Sequence, residues 1–141
     1  MAGNRGRHRV TLPFFVYGTL RPGARHHDRL LLGRTATEED ALLTGAVLHD
    51  GPGYPYAVRG GGTVRGSLVT PLPEAYAALL DALDRLESGA GYERVAVDAV
   101  RTGDGATVRA WVYLAAPGTA VGPLIASGDW FSHAPDAPRT P

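Results

Sequence analysis

The chain has 141 residues, a length that fits one domain, and its equal numbers of acidic and basic side chains leave no formal net charge. Nothing in this charge balance indicates a broad basic surface for nucleic acids or anionic membranes, so neither is expected as a partner. The sequence contains no Cys and no Lys, which excludes a thiol nucleophile, a disulfide framework and a Schiff-base lysine. The lack of Cys is compatible with the cytoplasm, which is the location expected here.

The folded domain is expected between two flexible tails. Residues 1–11 predict a short basic tail, residues 12–131 the domain, and residues 132–141 a Pro-rich tail. The apolar run of residues 12–16 contains Pro13 and is too short for a signal-peptide core or a transmembrane helix. The sequence specifies no oligomeric state.

The first half of the chain predicts short strands separated by turns. The apolar, aromatic residues 14–17 predict a buried strand, followed by a tight loop and a short helix over about residues 24–32. Residues 40–49 predict a second strand, which ends at a turn rich in Gly and Pro. Residues 54–58 and 63–70 predict two more strands, and the three glycines between them predict the turn of a hairpin.

The second half predicts one long helix followed by a hairpin. Residues 73–87 carry an apolar stripe at three- and four-residue intervals, and Pro73 suits the first helical position. Residues 92–100 and 107–114 predict two strands joined by a turn at Asp104 and Gly105, and the chain after Pro117 is expected to be irregular. The fold class that follows is α+β, with a small, barrel-like, mixed or antiparallel β-sheet and flanking helices.

One carboxylate lies within the apolar stripe of the predicted helix. At about 100° per residue, Glu87 lies about 40° from Leu83, whereas Asp81 and Arg85 point roughly the opposite way. Burial and the negative end of the helix dipole both raise a carboxyl pKa, so such a group can carry a proton near neutral pH. General acid–base catalysis requires this property. In the alternative, the helix ends one residue early and Glu87 turns to water.

The other candidate groups have plainer interpretations. His26 and His27 are adjacent, but no nearby group completes a metal set, so surface positions or a substrate contact are expected and no metal is. No serine lies in a nucleophile motif. Asp84, on the flank of the helix, is a candidate for placing a substrate or a loop, and Arg94 fits either a carboxylate partner or the surface.

Several motifs occur in an order that is typical of one superfamily. Residues 15–23 read Phe-Val-Tyr-Gly-Thr-Leu-Arg-Pro-Gly, the Leu-rich helix ends in Glu87, and residues 127–130 read Ser-Gly-Asp-Trp. Shorter matches lie between them at residues 54–55, 64–68, 92–94 and 110–113. Across about residues 14–130 the chain resembles the gamma-glutamylcyclotransferase-like superfamily, and it is similar to the short bacterial branch that includes gamma-glutamylamine cyclotransferases.

The resemblance implies a barrel-like fold, an activity and a site. Members of the superfamily convert a small gamma-glutamyl amine or amide into 5-oxoproline and a free amine, without a cofactor. The resemblance implies that Glu87 is the catalytic acid and base. The substrate-holding loop that it implies consists of Tyr17, Gly18, Thr19 and Leu20. Tyr92 and Tyr113, which core packing alone also explains, are expected to close the pocket.

Two further functional hypotheses accompany the cyclotransferase. A small-molecule-binding domain that kept the pocket without the chemistry is the first alternative, and a protein-interaction module, which no motif supports, is the second. The chain also departs from its relatives at one position, because Ser88 follows Glu87 where relatives often have Gly. A displaced turn at this point would change the direction in which Glu87 points.

Overall fold

Six β-strands form one mixed sheet in the computed structural model, which describes residues 11–18, 20–21, 31, 33–51 and 54–133. The strands are β1 (Phe14–Val16), β2 (Thr35–His49), β3 (Tyr56–Pro71), β4 (Tyr92–Arg101), β5 (Thr107–Ala115) and β6 (Leu124–Ile125). A 3-10 helix, Pro73–Ala75, leads directly into helix α1 (Tyr76–Gly89), and a short helix, α2 (Trp130–His133), follows β6. Within the described ranges, no helix combines the length and the apolarity that crossing a bilayer requires.

Five of the strands close into a barrel. Their order is β3-β1-β5-β4-β2, and β2 pairs back onto β3, whereas β6 pairs only with the end of β2. The short strand β1 lies antiparallel to β3 and parallel to β5, and the remaining pairs are antiparallel. The predicted α+β class with a small mixed, barrel-like sheet is therefore confirmed.

The burial of β1 on both faces explains why its sequence is a continuous apolar run. Phe14, Phe15 and Val16 are all buried, because β1 is hydrogen-bonded on both edges and covered on both faces. Helix α1 packs against β4 and buries Leu79 and Leu83 of its apolar stripe. The strands and both helices thus contribute buried apolar side chains to one shared core.

The prediction of a hairpin turn at the three glycines is wrong. Residues 60–62 lie inside the continuous strand β3, and the two predicted strands on either side of them pair with β2 instead of with each other. The register between β2 and β3 shifts beside the glycines, between Thr44 and Ala46. The three glycines lie opposite the single residue Gly45, so β3 has two extra residues there, and they form an irregularity in one long hairpin.

Of the remaining sequence predictions, some are confirmed, some differ from the structure and some fall outside the described residues. The β4–β5 hairpin is confirmed, and α1 continues two residues further than predicted, to Gly89. The segment after Pro117 contains β6 and α2 and is thus not wholly irregular. The predicted helix over residues 24–32 and nearly all of the two predicted tails lie outside the described residues, so these stay predictions.

Candidate active site

A cavity of about 120 Å³ lies where β1 ends and the last turn of α1 meets the barrel. Its walls come from β1 and the loop that follows, the segment before β3, the end of α1, and strands β4 and β5. The side chains and backbone that line it belong to Phe15, Val16, Tyr17, Gly18, Leu20, Tyr54, Pro55, Leu86, Glu87, Ala90, Tyr92 and Tyr113. Glu87 is the one charged residue among these described lining residues, so the cavity is an apolar and aromatic site built around a single carboxyl group.

Glu87 reaches the cavity because α1 does not end before it. The helix continues to Gly89, and the Ala90 N–H then donates a hydrogen bond to the Glu87 carbonyl at 3.0 Å. The Tyr56 hydroxyl donates to the Ala90 carbonyl at 2.7 Å and thereby satisfies an acceptor at the helix end. Ser88 is exposed on the outside of this turn. The alternative in which the helix ends early and Glu87 faces water is therefore wrong.

The environment of Glu87 is unfavourable for a negative charge. Burial raises the pKa of the Glu87 carboxyl from its ordinary value of 4.5 to about 7. No basic side chain among the described residues forms an ion pair with it, so no opposite charge offsets the loss of hydration. A carboxyl of this kind exchanges a proton readily near neutral pH.

The loop after β1 forms the wall opposite the helix end. The Arg21 N–H donates to the Gly18 carbonyl at 3.0 Å, which closes a tight turn between Gly18 and Arg21. A Cβ on Gly18 would lie 2.8 Å from two carbons of Pro55, so only glycine allows the loop to pass this close. Leu20 is buried and contributes its side chain to the cavity. Thr19, which the sequence also placed in this loop, lies outside the described residues.

The predicted tyrosines line the cavity with their rings and direct their hydroxyl groups elsewhere. The Tyr17 hydroxyl donates to the Tyr113 carbonyl at 2.6 Å and accepts from the Ala57 N–H at 3.1 Å. The Tyr92 hydroxyl donates to the Pro55 carbonyl at 2.5 Å. Burial raises the pKa of both hydroxyls, so they stay protonated. These residues therefore give the cavity its shape and its low polarity.

A polar network lies beside the cavity, and in it Arg94 has the carboxylate partner that was one of its two expected roles, whereas the links to Tyr113 and Trp111 were not predicted. The Tyr113 hydroxyl donates to Asp84 Oδ1 at 2.7 Å, and Arg94 donates to both carboxylate oxygens of Asp84, at 2.8 and 3.1 Å. The Arg94 guanidinium also lies 4.2 Å from the centre of the Trp111 ring. The hairpin register was the signal that could have found this network, since Arg94 and Tyr113 are directly opposite each other in β4 and β5.

The described residues contain no candidate metal site. Among the described residues, no group of three His, Asp or Glu side chains is arranged to hold a metal ion. His26 and His27 lie outside the described residues. What the arrangement can do chemically is bind a small molecule against aromatic walls and transfer protons through one carboxyl group.

The protein is a small, closed, mixed β-barrel whose compact cavity contains one desolvated carboxyl group. This arrangement is that of a small-molecule site on a β-barrel scaffold. The model of the family described as "Gamma-glutamyl cyclotransferase, AIG2-like" matches residues 14–132. The chain belongs to that family, which confirms the resemblance found in its sequence. Members act on small gamma-glutamyl substrates.

Solved structures share the fold. An uncharacterised protein of Pyrococcus horikoshii is 24% identical, with a TM-score of 0.63 over 86% of this chain and 92% of its own. A protein of Arabidopsis thaliana is 29% identical, with a TM-score of 0.64 over 87% of this chain and 71% of its own. An AIG2-like protein of Mus musculus is 21% identical, with a TM-score of 0.62 over 79% of this chain and 81% of its own. The comparison with curated proteins found no significant match.

Proposed function

We propose that the protein is a cyclotransferase that converts a gamma-glutamyl amine or amide into 5-oxoproline and a free amine, with Glu87 as the acid and base. The observation that carries the proposal is the position of Glu87, a desolvated carboxyl with a pKa of about 7 in a cavity large enough for a small molecule. Membership of the family supports the same substrate class.

The reaction needs one proton acceptor that later becomes a donor. The Glu87 carboxylate takes a proton from the substrate α-ammonium group, and the amine nitrogen then attacks the γ-carbonyl carbon of the same molecule. The new C–N bond closes the five-membered ring. Protonated Glu87 then gives its proton to the departing nitrogen as the old C–N bond breaks. The ring nitrogen loses its second proton through the regenerated Glu87 carboxylate to the released amine, so the products are neutral lactam 5-oxoproline and the protonated amine, and no water is consumed.

Cavity shape supplies the rest of the catalysis in this proposal. Both reacting groups belong to one molecule, so a site that holds the curled conformation lowers the barrier by orienting them. The rings of Tyr17, Tyr92 and Tyr113 bound a compact space suited to a curled glutamyl group. The backbone N–H groups of residues 18–20 are proposed to bind the substrate carboxylate or the developing oxyanion, because the cavity offers no described cationic side chain for this task.

The test is 5-oxoproline release from a panel of gamma-glutamyl amides and amines. The wild type is expected to release it, and Glu87→Gln, which keeps size and hydrogen bonding but cannot exchange a proton, is expected to lose about 10²–10⁴-fold in rate. Asp81→Asn is the matched control, since Asp81 lies on the exposed face of the same helix and, among the described residues, pairs with Arg85. That variant is expected to keep the wild-type rate.

Two outcomes would contradict the proposal. Full turnover by Glu87→Gln would show that another group transfers the protons. Tight binding of gamma-glutamyl compounds by folded wild-type protein, without release of 5-oxoproline from any of them, would identify a binding domain instead. The rate profile across the panel would also reveal which amine is released.

A further inference from the structure

A buried arginine directly follows the loop that forms one wall of the cavity. Arg21 is 7% exposed, and in the described part of the chain it is the only buried charged residue. Removing a guanidinium from water is costly unless partners replace the hydration. Its partners therefore indicate why it is buried at this position.

The partners of Arg21 lie more than a hundred residues away in the sequence. Arg21 Nη1 donates to Asp129 Oδ1 at 3.0 Å, and the guanidinium carbon lies 4.0 Å from the centre of the Phe131 ring. The Nε–H group is buried and has no acceptor among the described residues. An unsatisfied buried donor lowers stability, so stability alone does not explain this arginine.

The segment that holds Arg21 is itself fixed to the barrel. The Arg65 N–H of β3 donates to the Gly128 carbonyl at 2.8 Å, and a Cβ on Gly128 would lie 2.1 Å from the Thr63 carbonyl oxygen. Gly128 also has a φ of 69°, which favours glycine. The Phe131 N–H donates to Asp129 Oδ1 at 3.2 Å, which orients the carboxylate. The Gly-Asp-Trp motif thus holds the Asp129 carboxylate at a defined place on β3.

We propose that Arg21 and Asp129 are positioning residues, whose ion pair holds the turn of residues 18–21 in the conformation that binds the substrate carboxylate. The backbone N–H of Arg21 closes that turn onto the Gly18 carbonyl, so one residue joins the turn to the anchor formed by residues 128–131. This inference rests on the proposed function for its ligand, and the anchored turn is a geometric claim that can be tested separately.

The kinetic test uses Asp129→Asn and Arg21→Met. Arg21→Met fills similar space and leaves no buried charge, so it is expected to fold. Asp129→Asn can still accept the Phe131 N–H but leaves the Arg21 guanidinium without its counterion, so a loss of stability is expected, and its KM is measured at a temperature where circular dichroism shows the variant to be folded. In these variants we expect the turn to adopt its substrate-binding conformation only about a tenth of the time. KM for the best gamma-glutamyl substrate is then expected to rise about tenfold, while kcat changes less than about threefold. Arg21→Lys, which keeps the charge, is expected to recover part of the loss.

Two controls separate positioning from a general loss of structure. Asp98→Asn removes an exposed ion pair with Arg109 between β4 and β5, and it is expected to leave KM unchanged. The double variant of Arg21→Met with Asp129→Asn is expected to raise KM no further than Arg21→Met alone, because the Arg21–Asp129 contact is already lost in Arg21→Met and the other ion pair of Asp129, with the half-exposed Arg65 at 3.9 Å, is screened by solvent. Folded single variants with wild-type KM would overturn the inference.

The second test does not depend on turnover. Amide hydrogen exchange followed by NMR is expected to show about a tenfold or greater loss of protection at the Arg21 N–H in Asp129→Asn, with the amides of β5 unchanged. Equal loss in β5 or no loss at Arg21 would contradict a specific anchor. If the wild type releases no 5-oxoproline but exchange at Arg21 changes as expected, the proposed function is wrong and the anchored turn stands.

Discussion

Asp84 and Glu87 lie one turn apart on the same helix, yet their surroundings are opposite. Asp84 accepts two hydrogen bonds from Arg94 and one from the Tyr113 hydroxyl, so three donors stabilise its negative charge. Glu87 faces the cavity, where burial raises its pKa to about 7. Asp84 thereby links the helix to the barrel, whereas Glu87 is able to exchange a proton.

The difference arises from where the surrounding tyrosine hydroxyls point. Tyr17, Tyr56 and Tyr92 all lie close enough to Glu87 for electrostatic interaction, and each donates its proton to a backbone carbonyl instead. Because those donors are already engaged, the aromatic wall removes water from Glu87 without replacing the hydrogen bonds that water supplied. The pKa of Glu87 is thus raised because the neighbouring tyrosine hydroxyls donate their hydrogen bonds to backbone carbonyls and not to its carboxyl group.

The largest effect expected from this difference is on stability as pH changes. Folded Glu87 keeps its proton up to pH about 7, whereas the unfolded chain loses it at about 4.5, so the folded state binds more protons between these values. Stability attributable to Glu87 therefore falls as pH rises, by about 3 kcal/mol in total. Urea unfolding is expected to show Glu87→Gln matching the wild type near pH 4.5 and exceeding it at pH 8. Equal curves at both pH values would mean that Glu87 is not desolvated.

The next effect is on the rate. The proposed base is the Glu87 carboxylate, so kcat/KM is expected to fall about tenfold per pH unit below 7, or about a hundredfold at pH 5. Asp84→Asn is expected to keep the inflection near pH 7, because Asp84 lies outside the cavity. An inflection that remains near 4.5 in the wild type, or that vanishes in Asp84→Asn, would reverse the roles assigned to the two carboxylates. The measurement is 5-oxoproline release at limiting substrate from pH 5 to 9.

A smaller effect is expected when Asp84 loses its charged partner. Arg94→Met removes two hydrogen bonds and leaves a partly exposed carboxylate unpaired, which is expected to lower the free energy of unfolding by about 1 kcal/mol. Arg109→Met is the matched control, since the Arg109–Asp98 pair is much more exposed, and a change below about 0.5 kcal/mol is expected there. Denaturant unfolding at pH 7.5 measures both, and equal losses would show that the Asp84 network is only a surface contact.

The smallest effect is expected on the outer face of α1. Asp81 and Arg85 form an i,i+4 pair at 2.7 Å, but their side chains are 66% and 74% exposed, so solvent screens the interaction. Arg85→Ala is therefore expected to change the free energy of unfolding by about 0.5 kcal/mol or less. A loss above about 1 kcal/mol by thermal or urea unfolding would mean that this face contributes more to the helix than its exposure indicates.

Local patterns in the sequence were sufficient for α1 and for the hairpin of β4 and β5. Helical periodicity alone placed Glu87 in the apolar stripe, and the cavity lies where that stripe meets the barrel. Turn chemistry at Asp104 and Gly105 located the β4–β5 turn because the two strands are neighbours in both sequence and space. Such predictions succeed where the partner of an element is local.

The failures have two different causes. Three consecutive glycines are typical of a turn, and local chemistry does not show that a register shift against β2 accommodates them inside β3. The Arg21–Asp129 contact spans 108 residues, and no pattern within either segment indicates the other. The cytoplasmic location and the absence of a cofactor stay predictions.

The position of β1 also has a consequence for biosynthesis. This strand is made well before β5, yet Phe14 pairs with Trp111 of β5, and the Tyr17 hydroxyl bonds to a carbonyl 96 residues further along the chain. Closing such a long loop is slow, and it cannot begin on the ribosome until β5 has emerged. Until then the nascent chain carries the aromatic segment of residues 14–17 without its β5 partner, and such a segment is a target for a chaperone.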